Sequence, residues 1–213
     1  MAAIKSLQIF KYYHPHIGGV EKVMQDIAEG LRNHVDSEIL TCNTAARTVT
    51  DTINGIKVLR AGTVGTYFSV PLAPSFPFLM KKLSKDKDLL HFHLPFPMAD
   101  ISYLLMSPAP KVIVWWHSDI VRPERLSKLY RPFLMRFLRK VDRIIVAAPQ
   151  LVSNSPVLGR FRDRCRVISI GIDVKRFHLS ESQNKKMQEI RERAGSRIIL
   201  FIGRLIYYKG LEY

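Results

Sequence analysis

The sequence has few cysteines and no long apolar run, and each shortage excludes a class of protein. Only Cys42 and Cys165 occur among the 213 residues, so a disulfide scaffold is excluded, and they lack metal-ligand or redox spacing. Apolar runs such as residues 112–116 are far shorter than the roughly 20 residues of a membrane-spanning helix. Because no apolar segment of the secretory type opens the sequence, the chain is predicted to be cytoplasmic.

Acidic residues are scarce relative to basic ones. Lys and Arg number 33 and Asp and Glu 18, which gives a formal charge of +15, and residues 111–213 hold 22 of the basic residues but 9 of the acidic ones. Such an excess indicates a polyanionic partner, which is nucleic acid, a phosphorylated substrate or an anionic membrane. Apolar residues at 47% and charged residues at 24% are ordinary for a globular protein and exclude a disordered chain.

Short apolar segments alternate with helical patterns along residues 1–172. The segment 20–33, for example, carries its apolar residues at the spacing of a helix packed on a sheet. This alternation predicts an α/β domain with a doubly wound, Rossmann-like parallel sheet over residues 1–172. The predicted strands are 7–12, 38–42, 56–59, 89–93, 112–116, 143–147, 166–170 and 197–202.

The composition changes after residue 172. Residues 173–196 are mostly polar and predict an interdomain connector with a helix at 185–193. The apolar segment 197–202 then predicts the first strand of a second domain, which spans 197–213 and is truncated inside its first helix. A lone strand and a broken helix cannot bury a core of their own, so the remainder of that domain is expected to be missing.

Two glycines follow the first predicted strand and precede the first predicted helix. Gly18 and Gly19 there would let backbone N–H groups approach a phosphate or a polar substrate closely. Neither a G-x-G-x-x-G fingerprint nor a P-loop occurs in the chain, and a plain turn is the alternative explanation of the pair. His16, in the same turn, is a candidate for lining a cleft at this point.

Histidines lie at the ends of two predicted strands. His117 follows the strand 112–116 and so faces the cleft at the carboxyl ends of the strands, where it can hydrogen-bond a sugar hydroxyl or a developing charge; capping is the alternative. Asp119 and His93 are further candidates for lining this cleft. His91 and His93 share one face, but no cysteine or carboxylate at ligand spacing accompanies them, so no metal site is predicted.

Residues 123–141 predict a basic amphipathic helix. Apolar residues follow the spacing i, i+3, i+4, i+7, and six basic residues lie between them. The apolar stripe is predicted to pack in the core. The basic face is then available to solvent or to anionic lipid headgroups.

A basic turn follows the last predicted strand. Arg204 can bind a phosphate through two guanidinium nitrogens and Lys209 adds a second cation, an arrangement that suits a diphosphate. Together with the loops above, this turn resembles the family 4 retaining glycosyltransferases, whose GT-B architecture places two Rossmann-like domains across a cleft. The matching segments are YYHPHIGGVEKV at 12–23, DLLHFHLP at 88–95, WHSDIVR at 116–122, VISIGIDVKRF at 167–177 and FIGRLIYYKGLEY at 201–213.

The resemblance implies a role for each matching residue. Gly18 and Gly19 correspond to the loop that closes over donor and acceptor, and His117 corresponds to the catalytic histidine near the transferred sugar. Arg204 and Lys209 correspond to the pair that holds the donor diphosphate and stabilises the negative charge of the leaving group. Enzymes of this architecture generally need no metal, and no cofactor is expected.

The resemblance implies transfer of a hexose, mannose or glucose, from a nucleotide diphosphate sugar to a glycan or lipid-linked oligosaccharide in surface polysaccharide assembly. The chain departs from the family in two ways: Ala147 and Ala148 replace a common Thr-Ser or Ser-Ser pair, and the acidic E-x7-E motif of the donor domain is absent. The chain alone is therefore expected to be inactive. Two alternatives are an acceptor-side binding module without catalysis and one half of a split enzyme.

The basic second half of the chain is predicted to bring the protein to the inner face of the plasma membrane. Nucleic-acid binding is not predicted, because the chain has no zinc-finger, RRM or basic-zipper pattern.

Overall fold

A computed structural model describes residues 3–108, 110–120, 124–178, 180–195, 197–203, 205 and 210. The chain divides into two compact units, Met1–Ile170 and Gly171–Tyr213. Among the residues described, no helix combines the length and the hydropathy needed to cross a bilayer.

The first unit is built on an eight-stranded sheet. Its strands are β1 (Ile4–Ile9), β2 (Val35–Cys42), β3 (Val49–Ile53), β4 (Ile56–Ala61), β7 (Leu89–Leu94), β8 (Lys111–Trp116), β9 (Arg143–Val146) and β10 (Cys165–Val167). They lie in the order β10-β9-β8-β7-β1-β2-β4-β3, and every pair is parallel except β3 with β4. A separate hairpin consists of β5 (Gly65–Tyr67) and β6 (Val70–Leu72). The predicted parallel, doubly wound sheet is confirmed.

Within the described residues, five α-helices accompany this sheet and a sixth lies in the second unit. They are α1 (Gly19–Gly30), α2 (Phe76–Leu83), α3 (Pro97–Met106), α4 (Glu124–Arg139), α5 (Pro149–Asn154) and α6 (Glu181–Ala194). The helix α6 starts at a capping box formed by Ser180 and Gln183, which satisfies two backbone N–H groups at its N-terminus. It contains the predicted helix 185–193.

The order of the strands places a switch point beside β1. From β1 the chain proceeds to β2 on one side of the sheet and later to β7 on the other side. Loops that leave the carboxyl ends of β1 and β7 therefore diverge in opposite directions and open a crevice, the usual position of a ligand site in such sheets.

The two faces of the central strands differ in chemistry. On one face, Phe92 of β7 packs edge-on against Tyr103 of α3 and Phe137 of α4, with centroid distances of 5.8 and 5.0 Å. On the other face, Gln8 of β1 stands beside His91 of β7 in register, and both side chains are buried. A buried polar row inside a parallel sheet is unusual, since such strands are normally apolar throughout.

The structure corrects two predictions. Residues 197–203 pair with no strand among the described residues. The predicted strand 197–202 therefore does not form here, because a strand needs a neighbour for its backbone hydrogen bonds.

The apolar stripe of α4 is only half buried. Leu134, Phe137 and Leu138 near its end pack in the core, whereas Leu126, Leu129 and Phe133 earlier in the helix are exposed.

Candidate active site

His117 lies at the carboxyl edge of the sheet, beside the switch point. It is the first residue after β8, and its backbone N–H donates to the carbonyl of Leu94, the last residue of β7, at 3.0 Å. This bond extends the ladder between β7 and β8 by one residue and fixes His117 over the end of β7. The structure therefore places His117 at the strand end that its sequence position predicts.

A hydrogen-bond chain joins three neighbouring strands through His93. Its Nδ1 lies 3.1 Å from Nε2 of His117, and its Nε2 lies 3.3 Å from the amide oxygen of Gln8. Because an amide oxygen only accepts, Nε2 of His93 carries the proton and Nδ1 keeps the lone pair. Nε2 of His117 then donates, which leaves the lone pair of His117 on Nδ1.

The histidine rings are stacked, and burial keeps them neutral. The centroids of His93 and His117 are 5.4 Å apart, and those of His91 and His93 are 4.5 Å apart. Burial lowers the pKa of His117 to about 4 and, with a smaller contribution from the charge of His117, the pKa of His91 to about 3. Burial also holds the pKa of His93 well below its usual value. At neutral pH each ring therefore carries a single proton, as the hydrogen-bond chain requires.

His91 and Trp115 lie beneath this network and stack on each other at 6.2 Å. Nε2 of His91 and Nε1 of Trp115 are buried without a hydrogen-bond partner among the described residues. In that same part of the chain, no group of three or more His, Cys, Asp or Glu side chains could hold a metal ion. The pair forms the floor on which His93 and His117 are stacked.

The glycine loop lies at the carboxyl end of β1 and leads into α1. Gly18 is the N-cap residue, and its carbonyl accepts from the N–H of Lys22 at 3.0 Å. A methyl group added at Gly18 would lie 2.1 Å from Oε2 of the buried Glu21, whereas one added at Gly19 would meet nothing within 4 Å. A side chain at Gly18 would therefore displace the carboxylate end of Glu21, while the absence of a side chain at Gly19 leaves backbone open at the start of a helix.

Arg60 anchors the glycine loop, a role that its sequence context does not reveal. From β4, its Nε donates to Asp51 at 2.7 Å and its guanidinium donates to the backbone carbonyl of His14. Its side chain is 10% exposed. The only sequence signal is one arginine within the otherwise mostly apolar segment 56–61.

Two other predicted cleft residues have contacts of their own. His16 is exposed, and its Nε2 lies 3.9 Å from Oε1 of Glu21 at the start of α1. Asp119 accepts a hydrogen bond from Oγ of Ser155 at 2.8 Å, and that hydroxyl oxygen also accepts from two backbone N–H groups. Asp119 therefore ties the loop after β8 to the end of α5. A role of either residue toward a ligand stays a prediction.

The carboxyl edge of the sheet brings together the glycine loop, His93 and His117, which are far apart in sequence. The predicted phosphate-binding residues Arg204 and Lys209 lie outside the described residues. Their role as donor ligands stays a prediction.

The family profile of glycosyltransferase family 4 matches residues 17–176, most of the chain. The chain belongs to glycosyltransferase family 4. The matched range starts in the glycine loop and includes β7 and β8 with His93 and His117, whereas Gln8 and His16 precede it.

Two curated relatives of this family 4 chain act in different sugar transfers. The D-rhamnosyltransferase WbpZ of Pseudomonas aeruginosa is 33% identical over 98% of this chain and 55% of its own length. The O-antigen chain mannosyltransferase C of Escherichia coli is 30% identical over 98% of this chain and 56% of its own length. The chain spans about half the length of the curated relatives it matches.

Solved structures share the fold. HepE of Anabaena in complex with UDP-glucose superimposes with a TM-score of 0.67 and 17% identity, over 98% of this chain and 55% of that protein. Sucrose-phosphate synthase of Thermosynechococcus elongatus gives a TM-score of 0.61 and 14% identity, over 87% of this chain and 52% of that protein. At such identities the likeness establishes the fold alone, and it supports the predicted GT-B architecture.

Proposed function

We propose that the chain forms the acceptor-side half of a retaining glycosyltransferase. The reaction moves a hexose, mannose or glucose, from a nucleotide diphosphate sugar to a glycan or lipid-linked oligosaccharide. The observation that carries this proposal is the network of Gln8, His93 and His117 at the switch point, at the carboxyl edge from which the glycine loop also leaves the sheet. Membership of family 4 and the sugar transfers of both relatives agree with it.

The network defines what His117 can do in this reaction. Since its Nε2–H is used toward His93, the remaining function of the ring is to accept a hydrogen bond at Nδ1. A sugar hydroxyl is a suitable donor, and its orientation positions the anomeric carbon for transfer. The departing diphosphate gains negative charge, which Arg204 and Lys209 are proposed to stabilise.

A chimera tests this proposal. We expect the 213-residue chain alone to release little or no nucleoside diphosphate from any sugar donor. Joined to the remaining, donor-side part of the D-rhamnosyltransferase relative, it is expected to release diphosphate in the presence of a glycan acceptor. His117→Ala in the chimera should lower kcat by about 100-fold or more, the scale of a lost transition-state contact.

The outcomes separate the parts of the proposal. Robust turnover by the chain alone would contradict the assignment of donor binding to a second half. An unchanged kcat in the His117→Ala chimera would contradict the role of His117. A folded chimera that releases no diphosphate from any donor would favour the acceptor-side binding module.

The two glycines are expected to respond to alanine in opposite ways. Gly18→Ala should lower the melting temperature of the chain, because alanine is a poorer N-cap than glycine and its methyl group displaces the carboxylate of Glu21. Gly19→Ala should leave stability equal or raise it by up to about 1 kcal/mol, because alanine restricts the unfolded chain and a helix tolerates it. In the chimera, however, Gly19→Ala should raise the KM for the sugar donor severalfold. An unchanged KM would leave Gly19 as an ordinary turn residue.

We also propose that α4 rests on an anionic membrane at the inner face of the cell. The helix exposes a strip of Leu126, Leu129 and Phe133, and basic residues flank this strip on the helix surface. Tyr130 donates a hydrogen bond to the buried carboxyl group of Asp100, which ties α4 to α3 and holds the strip in one orientation. Positive charge beside exposed apolar side chains suits a surface of anionic lipids.

A further inference from the structure

The C-terminal end of α4 borders an open cavity in the first unit. The cavity has a volume of about 440 Å³, which is typical of small-molecule sites in proteins. Its other wall is a 3₁₀ helix, Leu158–Arg164. The residues that line it are Met135, Arg139, Arg160, Phe161, Asp163 and Arg164. Three of these six side chains are arginines, so the lining is strongly basic.

This cavity lies at the amino edge of the sheet. The helix α4 ends at Arg139, shortly before β9 begins at Arg143, and the 3₁₀ helix ends at Arg164, directly before β10 begins at Cys165. His117 and the glycine loop lie at the opposite, carboxyl edge. A ligand in the cavity is therefore not the sugar donor of the proposed function, and the two sites can be tested separately.

The walls of the cavity are fixed against each other. Nη1 of Arg164 donates to three backbone carbonyls at and after the end of α4, those of Leu138, Arg139 and Val141, at 3.4, 2.9 and 3.0 Å. This guanidinium thus caps the C-terminus of α4, where a cation is favourable. Met135 is buried, and Phe161 packs against the core. The cavity is therefore formed before any ligand binds.

The arginines that line the cavity have no anionic partner. Among the described residues, Arg139, Arg160 and Arg164 form no ion pair, and the side chains of Arg139 and Arg160 make no hydrogen bond. Asp163 lies on the same rim, and its carboxylate pairs with no cation in that part of the chain. The lining therefore has a net charge of +2 that no protein group neutralises.

We propose that this cavity binds a dianionic phosphate group. A phosphate monoester carries between about 1.5 and 2 negative charges at pH 7, which matches the net charge of the lining. Guanidinium groups bind phosphate oxygens through two parallel N–H donors. Met135 and Phe161 offer apolar contact to the carbon atoms of an ester. A soluble phosphate ester and the headgroup of phosphatidic acid share this chemistry.

Titration of the 213-residue chain with glycerol 3-phosphate tests the soluble source. We expect saturable shifts of the Nε–H signals of Arg139, Arg160 and Arg164 in nitrogen-15 NMR spectra. Salt at about 0.1 M screens charges that lie more than about 10 Å from the ligand. Arg160→Gln should weaken binding about tenfold, the scale of one lost charge-assisted hydrogen bond. Arg160 is exposed, so the variant should fold.

Two variants on the same 3₁₀ helix are matched controls. Arg162→Gln removes an exposed arginine that does not line the cavity and should change the affinity less than about twofold. Asp163→Asn removes the carboxylate and should strengthen binding severalfold, because the net positive charge of the lining increases. The substitutions at Arg160 and Asp163 should thus change the affinity in opposite directions.

Flotation with vesicles tests the lipid source. Phosphatidic acid in phosphatidylcholine vesicles presents phosphate monoesters, whereas phosphatidylglycerol presents diesters. If the lipid is the ligand, the chain should prefer phosphatidic acid, Arg160→Gln should lose this preference and Arg162→Gln should keep it. Leu129→Gln with Phe133→Gln removes the exposed strip of α4 and should weaken binding to both kinds of vesicle alike, which tests the membrane contact of α4 separately.

The results either assign the source or overturn the proposal. Saturable binding of the ester that depends on Arg160 assigns a soluble ligand, and a preference for phosphatidic acid that depends on Arg160 assigns the lipid. The proposal is wrong if neither occurs. Equal losses in Arg160→Gln and Arg162→Gln would attribute binding to the overall charge of the chain and would overturn the assignment to the cavity. An inactive chimera would contradict the proposed function alone.

Discussion

The first unit is expected to lose stability steeply as the pH falls from 7 to 5. Burial lowers the pKa values of His91, His93 and His117 below their ordinary value of about 6.5, so the unfolded chain binds these three protons first. Their contribution is complete above pH 6.5 and is lost as the pH falls toward the folded pKa values, about 4 for His117 and about 3 for His91.

One buried carboxyl group opposes this trend. Burial raises the pKa of Asp100 well above its ordinary value, so the folded chain holds that proton in the same pH range. In this pH range the unfolded chain binds the protons of the three histidines, whereas the folded chain binds the proton of Asp100. The unfolded chain therefore holds about two more protons than the folded chain. The free energy of unfolding should therefore decrease by about 2.7 kcal/mol per pH unit below pH 6. Urea denaturation followed by circular dichroism at several pH values measures this slope.

A single substitution identifies the source of the slope. His91→Leu removes one buried imidazole, whose Nε2 has no partner among the described residues, and should reduce the slope by about 1.4 kcal/mol per pH unit. His34→Gln, at an exposed position, should leave the slope unchanged. If the wild-type chain is equally stable at pH 7 and pH 5, burial does not lower the pKa values of His91, His93 and His117 in the folded chain.

The sheet could be predicted from the sequence where its strands are buried on both faces, as β7 and β8 are. The edge strand β3 could not be predicted in that way, because its residues are mostly exposed and its sequence is half polar. The Asn54–Gly55 pair was the available signal, since this dipeptide between two short β-type segments is typical of a hairpin. The hairpin with Phe68 and Ser69 offers no such signal.

Periodicity also leaves the surroundings of a helix undetermined. The stripe of α4 follows helical spacing from end to end, yet Leu138 is buried and Leu129 is 71% exposed. The spacing shows which side chains share a face of the helix. Whether a neighbouring element covers that face depends on the length and position of α3 and the sheet, which the helix sequence does not contain.

The sequence predicts those residues of the candidate site that lie at the end of a predicted strand. His117 and His93 follow from the rule that ligands bind at the carboxyl ends of the strands. Gln8 could not be identified, because its contact with His93 depends on the register between β1 and β7. Arg60 was missed for a similar reason, since its partners Asp51 and His14 are reached only after β4 has paired.

Gln8→Leu is expected to change the protonation pattern of both site histidines. Without the amide oxygen, Nε2–H of His93 would be a buried donor with no acceptor, which costs more than a buried lone pair. His93 should then protonate at Nδ1 and donate to His117, whose own proton moves to Nδ1. Nitrogen-15 NMR of the 213-residue chain at pH 7 reads this exchange directly from the chemical shifts of the ring nitrogens.

The same change should lower the kcat of the chimera about tenfold with little effect on the KM for the donor, because the acceptor site on His117 becomes a donor. Ser6→Ala is the matched control. Ser6 lies on the same strand and face and bonds Ser37 at 3.0 Å, so its loss should lower stability without altering either tautomer. If His117 keeps its proton on Nε2 in the Gln8→Leu variant, Gln8 does not set the tautomer of His117. The orientation of His117 then comes from its backbone hydrogen bond to Leu94 and its stacking on Trp115.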